Sequence, residues 1–191
     1  MPLNLPNLLT WLRILMIPLV IGVFYFPESW MTGWQKNVTA TALFAAAAAT
    51  DWLDGYLARR LNQMSAFGEF LDPVADKLMV ASALIVLVWL DRVDPLIAVI
   101  IVGREIAISA LREWMAQLGK SKSVAVAFIG KVKTGAQITA VIALLLYQPV
   151  IPGINTVWVG TTALWVAAIL TLWSMFHYLR LAAPHIPPDD F

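Results

Sequence analysis

Six apolar runs follow one another along the chain: Leu8–Phe26, Val38–Leu57, Glu69–Leu90, Pro95–Met115, Phe128–Tyr147 and Ile154–Leu179. Between them proline, glycine and charge gather in FPESWMTGWQKN, ARRLNQMSAFG, LDRVDP, QLGKSKS and YQPVIPG, the composition of turns. A helix needs about 20 mostly apolar residues to cross a bilayer core, and each run has that length. None alternates as a barrel strand does, and in lipid only helices and closed barrels satisfy their own backbone. The pattern therefore predicts an all-α integral membrane protein. It has six transmembrane helices in a single catalytic-sized unit, residues 1–183, and a short polar tail, 184–191.

Composition agrees. The 191 residues are 60% hydrophobic and 13% charged, whereas soluble domains carry about 25% charged residues. The net charge of +1 says little, and no nucleic-acid partner is expected. The placement of charge says more. With six crossings, Arg59, Arg60, Lys120, Lys122, Lys131, Lys133 and Arg180 fall on one side and only Lys36 and Arg92 on the other. That asymmetry puts both termini in the cytoplasm, in the inner membrane of a cell that has two. Trp30, Trp34 and Trp158 then fall near the far interface. The first run has no basic residues before it and no small-residue cleavage site after it, so it reads as a span rather than a signal peptide. Cysteine is absent, which removes thiolate metal sites. The alanine run Ala45–Ala49 suits close helix packing.

Four carboxylates interrupt this apolar background. Asp51 and Asp54 end the second run, Asp72 and Asp76 begin the third. If those helices pair antiparallel around 62–66, the two couples lie at similar depth. Spacings of three and four put each couple on one helix face. Gly55, Ala58, Gly68 and Ala75 leave a seam of small residues beside them, and Pro73 suits the first turn of the third helix. Close carboxylates repel each other and are costly to desolvate, so the group requires cations. Oxygen donors without His or Cys suit Mg²⁺ or Mn²⁺, and there are enough for two ions, the arrangement that clamps in-line phosphoryl transfer. The bland alternative is interfacial salt bridging to Arg59, Arg60 and Lys77.

The stretch DWLDGYLARRLNQMSAFGEFLDPVAD, Asp51 to Asp76, resembles the signature of the CDP-alcohol phosphotransferases, D-x2-D-G-x2-A-R-x8-G-x3-D-x3-D, at every fixed position. The resemblance implies six transmembrane helices, a homodimer, and transfer of a substituted phosphoryl group from a CDP-linked donor to an alcohol with release of CMP. It implies that Asp51, Asp54 and Asp72 hold metal, with Asp76 at the second ion and also acting as general base. Gly55, Ala58, Arg59 and Gly68 would shape the nucleotide and diphosphate site.

The remaining charges bear on the acceptor. Arg104 and Arg112, about 80° apart on a helix, are expected to border one cavity, and Lys131 and Lys133 open the fifth helix. Such a basic cavity suggests an acceptor that carries phosphate. Alternatively the arginines pair with Glu105 and Glu113 and the lysines sit among headgroups. The stretches VGREIAISALREW, FIGKVKTGAQ and NLPNLLTWLRI resemble the branch of the family that uses CDP-diacylglycerol and sn-glycerol 3-phosphate, with the donor's acyl chains in the membrane lipid. Asn7, Thr10 and Arg13 are candidates for holding the donor's nucleotide or diphosphate; a capped helix start with a snorkelling arginine is the alternative. Two other readings compete. A sibling enzyme would use inositol phosphate or serine. A divalent-cation transporter would continue the polar path, but ALFAAAAAT and LMVASALIVLVW offer no relay.

Overall fold

The computed structural model describes residues 5–61, 66–117, 119, 128–149 and 153–185. Among these there are six α-helices and no strand: α1 (Leu5–Gly22), α2 (Gly33–Leu61), α3 (Ala66–Trp89), α4 (Pro95–Gln117), α5 (Phe128–Leu146) and α6 (Thr156–Ala182). Short 3-10 turns follow α1 and α6, at Val23–Tyr25 and Ala183–His185. The first two residues of the tail thus extend α6, and 186–191 lie outside the described residues.

Local chemistry sets the helix starts. Thr32 and Gln35 form a reciprocal capping box before α2: the Gln35 N–H donates to Thr32 Oγ1 and the Thr32 N–H to Gln35 Oε1. Asp94 Oδ1 accepts from the Leu96 N–H at 2.7 Å, with Pro95 in the first helical position of α4. Asn155 Oδ1 accepts from the Trp158 N–H and starts α6. At the end of α5, Tyr147 takes a left-handed conformation, φ 57°, and its N–H returns to the Ala143 carbonyl.

The helices pack around an apolar centre built from Phe44, Leu84, Leu87, Ile101, Val141, Leu144 and Leu145, all fully buried or nearly so. α1 packs on both α2 and α3; α5 packs on α2, α3 and α6; α4 packs on α3 and α6. Between membrane helices such contacts act through close van der Waals fit and small residues. Gly160 of α6 supplies one: a Cβ there would meet Leu144 Cγ at 2.7 Å.

Two expectations change. The antiparallel α2–α3 pair does not close directly on itself. Among the described residues the two helices touch sparingly, and α1 is wedged between them, packing closely on each. Pro73 is not in a first turn either: α3 starts earlier, at Ala66, and carries Pro73 in its interior, where it removes one backbone hydrogen bond.

By length and composition, α1 with the turn after it (Asn7–Tyr25) and α6 (Thr156–Ala182) are apolar enough to cross a membrane, and α5 is apolar over Val132–Leu146. α2, α3 and α4 carry the charged residues of the site within their length. Trp30, Trp34 and Trp158 are all strongly exposed.

Candidate active site

Threonine and arginine at positions 10 and 13 share one stripe of α1 with Asn7, because residues three apart return to the same face. That stripe points into the bundle, and Asn7, Thr10 and Arg13 are all buried. Arg13 is 0% exposed, and its Nη1 donates to Asp76 Oδ1 at 2.5 Å and lies 2.9 Å from Asp51 Oδ1. The Thr10 hydroxyl donates to Asp72 Oδ1 at 2.6 Å. The wedge of α1 therefore reaches carboxylates of α2 and α3 at once. Asp51 and Asp76 remain open on their other side, with side chains 42% and 44% exposed.

The structure thus brings Asp51, Asp72 and Asp76 to one end of α1–α3. Arg13 is not a snorkelling residue, and Asn7 is inside α1 rather than at its cap. Gly68 is buried one turn before Asp72. Asp54, Gly55, Ala58 and Arg59 continue α2, but their side chains lie outside the described residues, as does that of Lys131. Among the described residues no three carboxylates or histidines converge tightly enough to hold an ion. The donor chemistry does fit a hard cation. Asp51, Asp72 and Asp76 offer only oxygen, and two of them already take a positive group, the Arg13 guanidinium, between them.

A cavity of about 240 Å³ opens beside this cluster. α4 and α5 make no close backbone approach to each other among the described residues, and the gap between them, closed by α3, is the cavity. α3 contributes Asp76 and Lys77, α4 contributes Glu105, Ser109 and Arg112, and α5 contributes Lys133, Thr134 and Gln137. Lys133 is buried and paired with Glu105. Arg112 donates from Nη2 to the Tyr178 hydroxyl of α6 at 3.0 Å, and its guanidinium lies 5.0 Å from the centre of that ring. Its buried Nε has no partner among the described residues.

Arg104 stands elsewhere. It does not line the cavity. It is buried between α4 and α6, donating from Nη2 to Ser174 Oγ at 2.6 Å and from Nη1 to Glu105 at 3.2 Å. It reaches the cavity through Glu105, which it shares with Lys133, and its guanidinium lies 5.8 Å from the centre of the Tyr178 ring that holds Arg112. Tyr178 and Gln137 are site residues that sequence reasoning did not single out, and Glu105 was weighed there only as a partner for the arginines, which it is for Arg104. An acid adjacent to an in-span arginine was a signal for Glu105; Tyr178 and Gln137 left none, being single polar groups on apolar helices.

The sequence has known counterparts. The chain matches the CDP-alcohol phosphatidyltransferase family over residues 3–173, and it belongs to that family. It is 50% identical to a Pseudomonas fluorescens protein named CDP-diacylglycerol–glycerol-3-phosphate 3-phosphatidyltransferase, over 97% of this chain and 93% of the relative. Proteins of the same name from Escherichia coli strain K12 and Shigella flexneri serotype 5b are 48% and 49% identical, over 95% of this chain and 96% of each relative.

Proposed function

We propose that the protein transfers the phosphatidyl group of CDP-diacylglycerol to sn-glycerol 3-phosphate, giving phosphatidylglycerophosphate and CMP. The observation that carries this reading is that Asp76 lines the same cavity as Arg112 and Lys133. A proton acceptor and two phosphate-seeking cations share one small chamber. Its volume of about 240 Å³ suits a small phosphorylated alcohol. The full-length likeness to proteins named for that reaction supports the same donor and acceptor.

In this mechanism Arg112 and Lys133 hold the acceptor's phosphate, Arg112 through a planar fork that Tyr178 orients from behind. Lys131, two residues before Lys133 at the opening of α5, is the further basic residue assigned to this acceptor. Arg104 serves indirectly, by fixing Glu105 against Lys133. The acceptor hydroxyl points toward Asp76, which takes its proton as the oxygen attacks the phosphatidyl phosphorus. The bond from that phosphorus to the CMP oxygen breaks, and CMP departs with the electron pair. Asp51, Asp54, Asp72 and Asp76 would hold Mg²⁺ or Mn²⁺, two ions, whose charge neutralises the diphosphate and the departing CMP. Asn7, Thr10, Gly55, Ala58, Arg59 and Gly68 shape the donor's side of the site, Thr10 by fixing Asp72.

The same reading places all six helices across the inner membrane, both termini and the aspartates toward the cytoplasm, in a homodimer with lipid around it. α3 beyond Asp76 buries Met79, Ala83, Leu84 and Leu87, which offers an ion no polar path and disfavours a transporter. The test is CMP release by purified protein with CDP-diacylglycerol and Mg²⁺, comparing sn-glycerol 3-phosphate, inositol phosphate, serine and no acceptor. Release that requires glycerol 3-phosphate and stops on chelation is expected. Release with another acceptor overturns the assignment.

A further inference from the structure

The two basic residues that the charge pattern sets apart from all the others, Lys36 and Arg92, meet in a second cavity. It holds about 360 Å³ and is lined by Lys36, Asn37, Arg92, Tyr147 and Gln148 with the Trp34 ring. Leu90 also lines it. That residue follows the last residue of α3 and lies fourteen positions beyond Asp76, and at 1.5 Å per helical residue the cavity is about 20 Å from the aspartates. It takes no part in the chemistry described above.

Its polar wall is rich in donors, and Phe24, Leu90 and Trp34 add to the lining. Arg92 is anchored by three hydrogen bonds: Nη1 to the carbonyls of Leu144 and Leu145 at 3.0 and 2.9 Å, and Nη2 to Asn37 Oδ1 at 2.8 Å. Its guanidinium stacks 4.3 Å from the Tyr147 ring centre. Burial pulls its pKa below the ordinary value, and no carboxylate lines the cavity to offset that cost. The carbonyl end of α5 supplies only about half a negative charge. Asn37 is 5% exposed and spends its oxygen on Arg92, so its amide N–H groups remain for a guest. Lys36 has no ion-pair partner among the described residues. Two cations and two amides with no acid among them form a receptor for a phosphoryl anion.

The surroundings favour a lipid as its source. Tyr25 stacks on Trp89 at 5.4 Å and Phe26 on Trp30 at 6.0 Å at this end of the bundle, and Trp30, Trp34 and Trp89 are exposed. Such a belt sits at headgroup level. We infer that the Lys36–Asn37–Arg92 cavity binds the phosphate of an anionic phospholipid headgroup, at the end of the protein opposite the aspartates.

The test is native mass spectrometry of the full chain released from micelles containing phosphatidylglycerol or, in parallel, diacylglycerol. Lys36→Glu is compared with wild type, because it leaves the Arg92 anchor whole; unchanged CMP release shows that the variant is folded. Retained phosphatidylglycerol should fall about tenfold, the scale of one lost charge-assisted contact, with diacylglycerol unaffected. Asn37→Leu should lower it as well. Equal phosphatidylglycerol retention by Lys36→Glu and wild type overturns the site. Complete displacement of the lipid by millimolar inorganic phosphate overturns the lipid source and leaves a site for free phosphate.

Discussion

Arg13 and Asp76, 63 residues apart in sequence, are joined by a 2.5 Å charge-assisted hydrogen bond, and the same Arg13 nitrogen lies 2.9 Å from Asp51. One guanidinium from α1 thus holds carboxylates of α2 and α3 in register. It is fully buried while they are half open, so its charge is invested in placing them. Arg13→Ala leaves two facing carboxylates without their shared cation. A loss of about 1–3 kcal/mol is expected, the scale for hydrogen bonds to charged groups whose acids keep water on one side, read as a lower unfolding midpoint in detergent. Arg13→Lys keeps the charge but loses the planar guanidinium that fixes Nη1 between the two acids, and it should recover part of the midpoint. Equal midpoints for wild type and Arg13→Ala would show that the bridge places nothing.

Asp76 has two neighbours of different kind, Arg13 on one side and the cavity on the other. Asp76→Asn keeps the shape and removes the proton acceptor. CMP release should fall by about 10²–10⁴-fold, the range for a general base. Binding of glycerol 3-phosphate, followed by calorimetry, should persist because Arg112 and Lys133 are untouched. Normal turnover in Asp76→Asn would move the base elsewhere.

Tyr178 offers a finer probe of the acceptor pocket. Its hydroxyl accepts from Arg112 at 3.0 Å, and its ring lies under both Arg112 and Arg104. Tyr178→Phe removes one hydrogen bond, worth about 1 kcal/mol, so the KM for glycerol 3-phosphate should rise about fivefold while that for CDP-diacylglycerol stays level. Arg112→Ala should raise the same KM further. A shift confined to the donor KM would place the acceptor elsewhere.

The helices were legible because hydropathy over a span is a local property. Each predicted run overlaps its helix, and α4 begins at the expected Pro95. The common depth of Asp51 and Asp76, which share Arg13, was legible too, since equal distance from a turn fixes depth; the side chain of Asp54, the residue matched with Asp72, lies outside the described residues. What the pattern did not carry is which helix lies between which. α2 and α3 are neighbours in sequence, yet α1 separates them, so Arg13 reads as a snorkelling residue until its neighbours are known. Arg104 and Arg112 show the same limit. An angle of about 80° admits both to one cavity, but α6 presents Ser174 to the first and Tyr178 to the second. Only Arg112 reaches the lining. Spacing assigns a face; the partner helix decides what that face meets.

The α5–α6 contact gives a prediction about the scaffold alone. Gly160 is buried where α6 crosses α5, and an added Cβ would lie 2.7 Å from Leu144 Cγ and 3.1 Å from Ala143 Cβ. Leu144 is itself fully buried in the central cluster, so it has little room to yield. Its carbonyl also receives Arg92. Gly160→Ala forces the two helices apart or Leu144 off its rotamer, at about 1–3 kcal/mol, the usual penalty of overpacking. The detergent-solubilised variant should unfold at a lower temperature, and Leu144→Ala in the same chain should restore part of the loss by making space. A destabilisation that Leu144→Ala only deepens, by the sum of the two single effects, would mean that the two side chains do not compete for that volume.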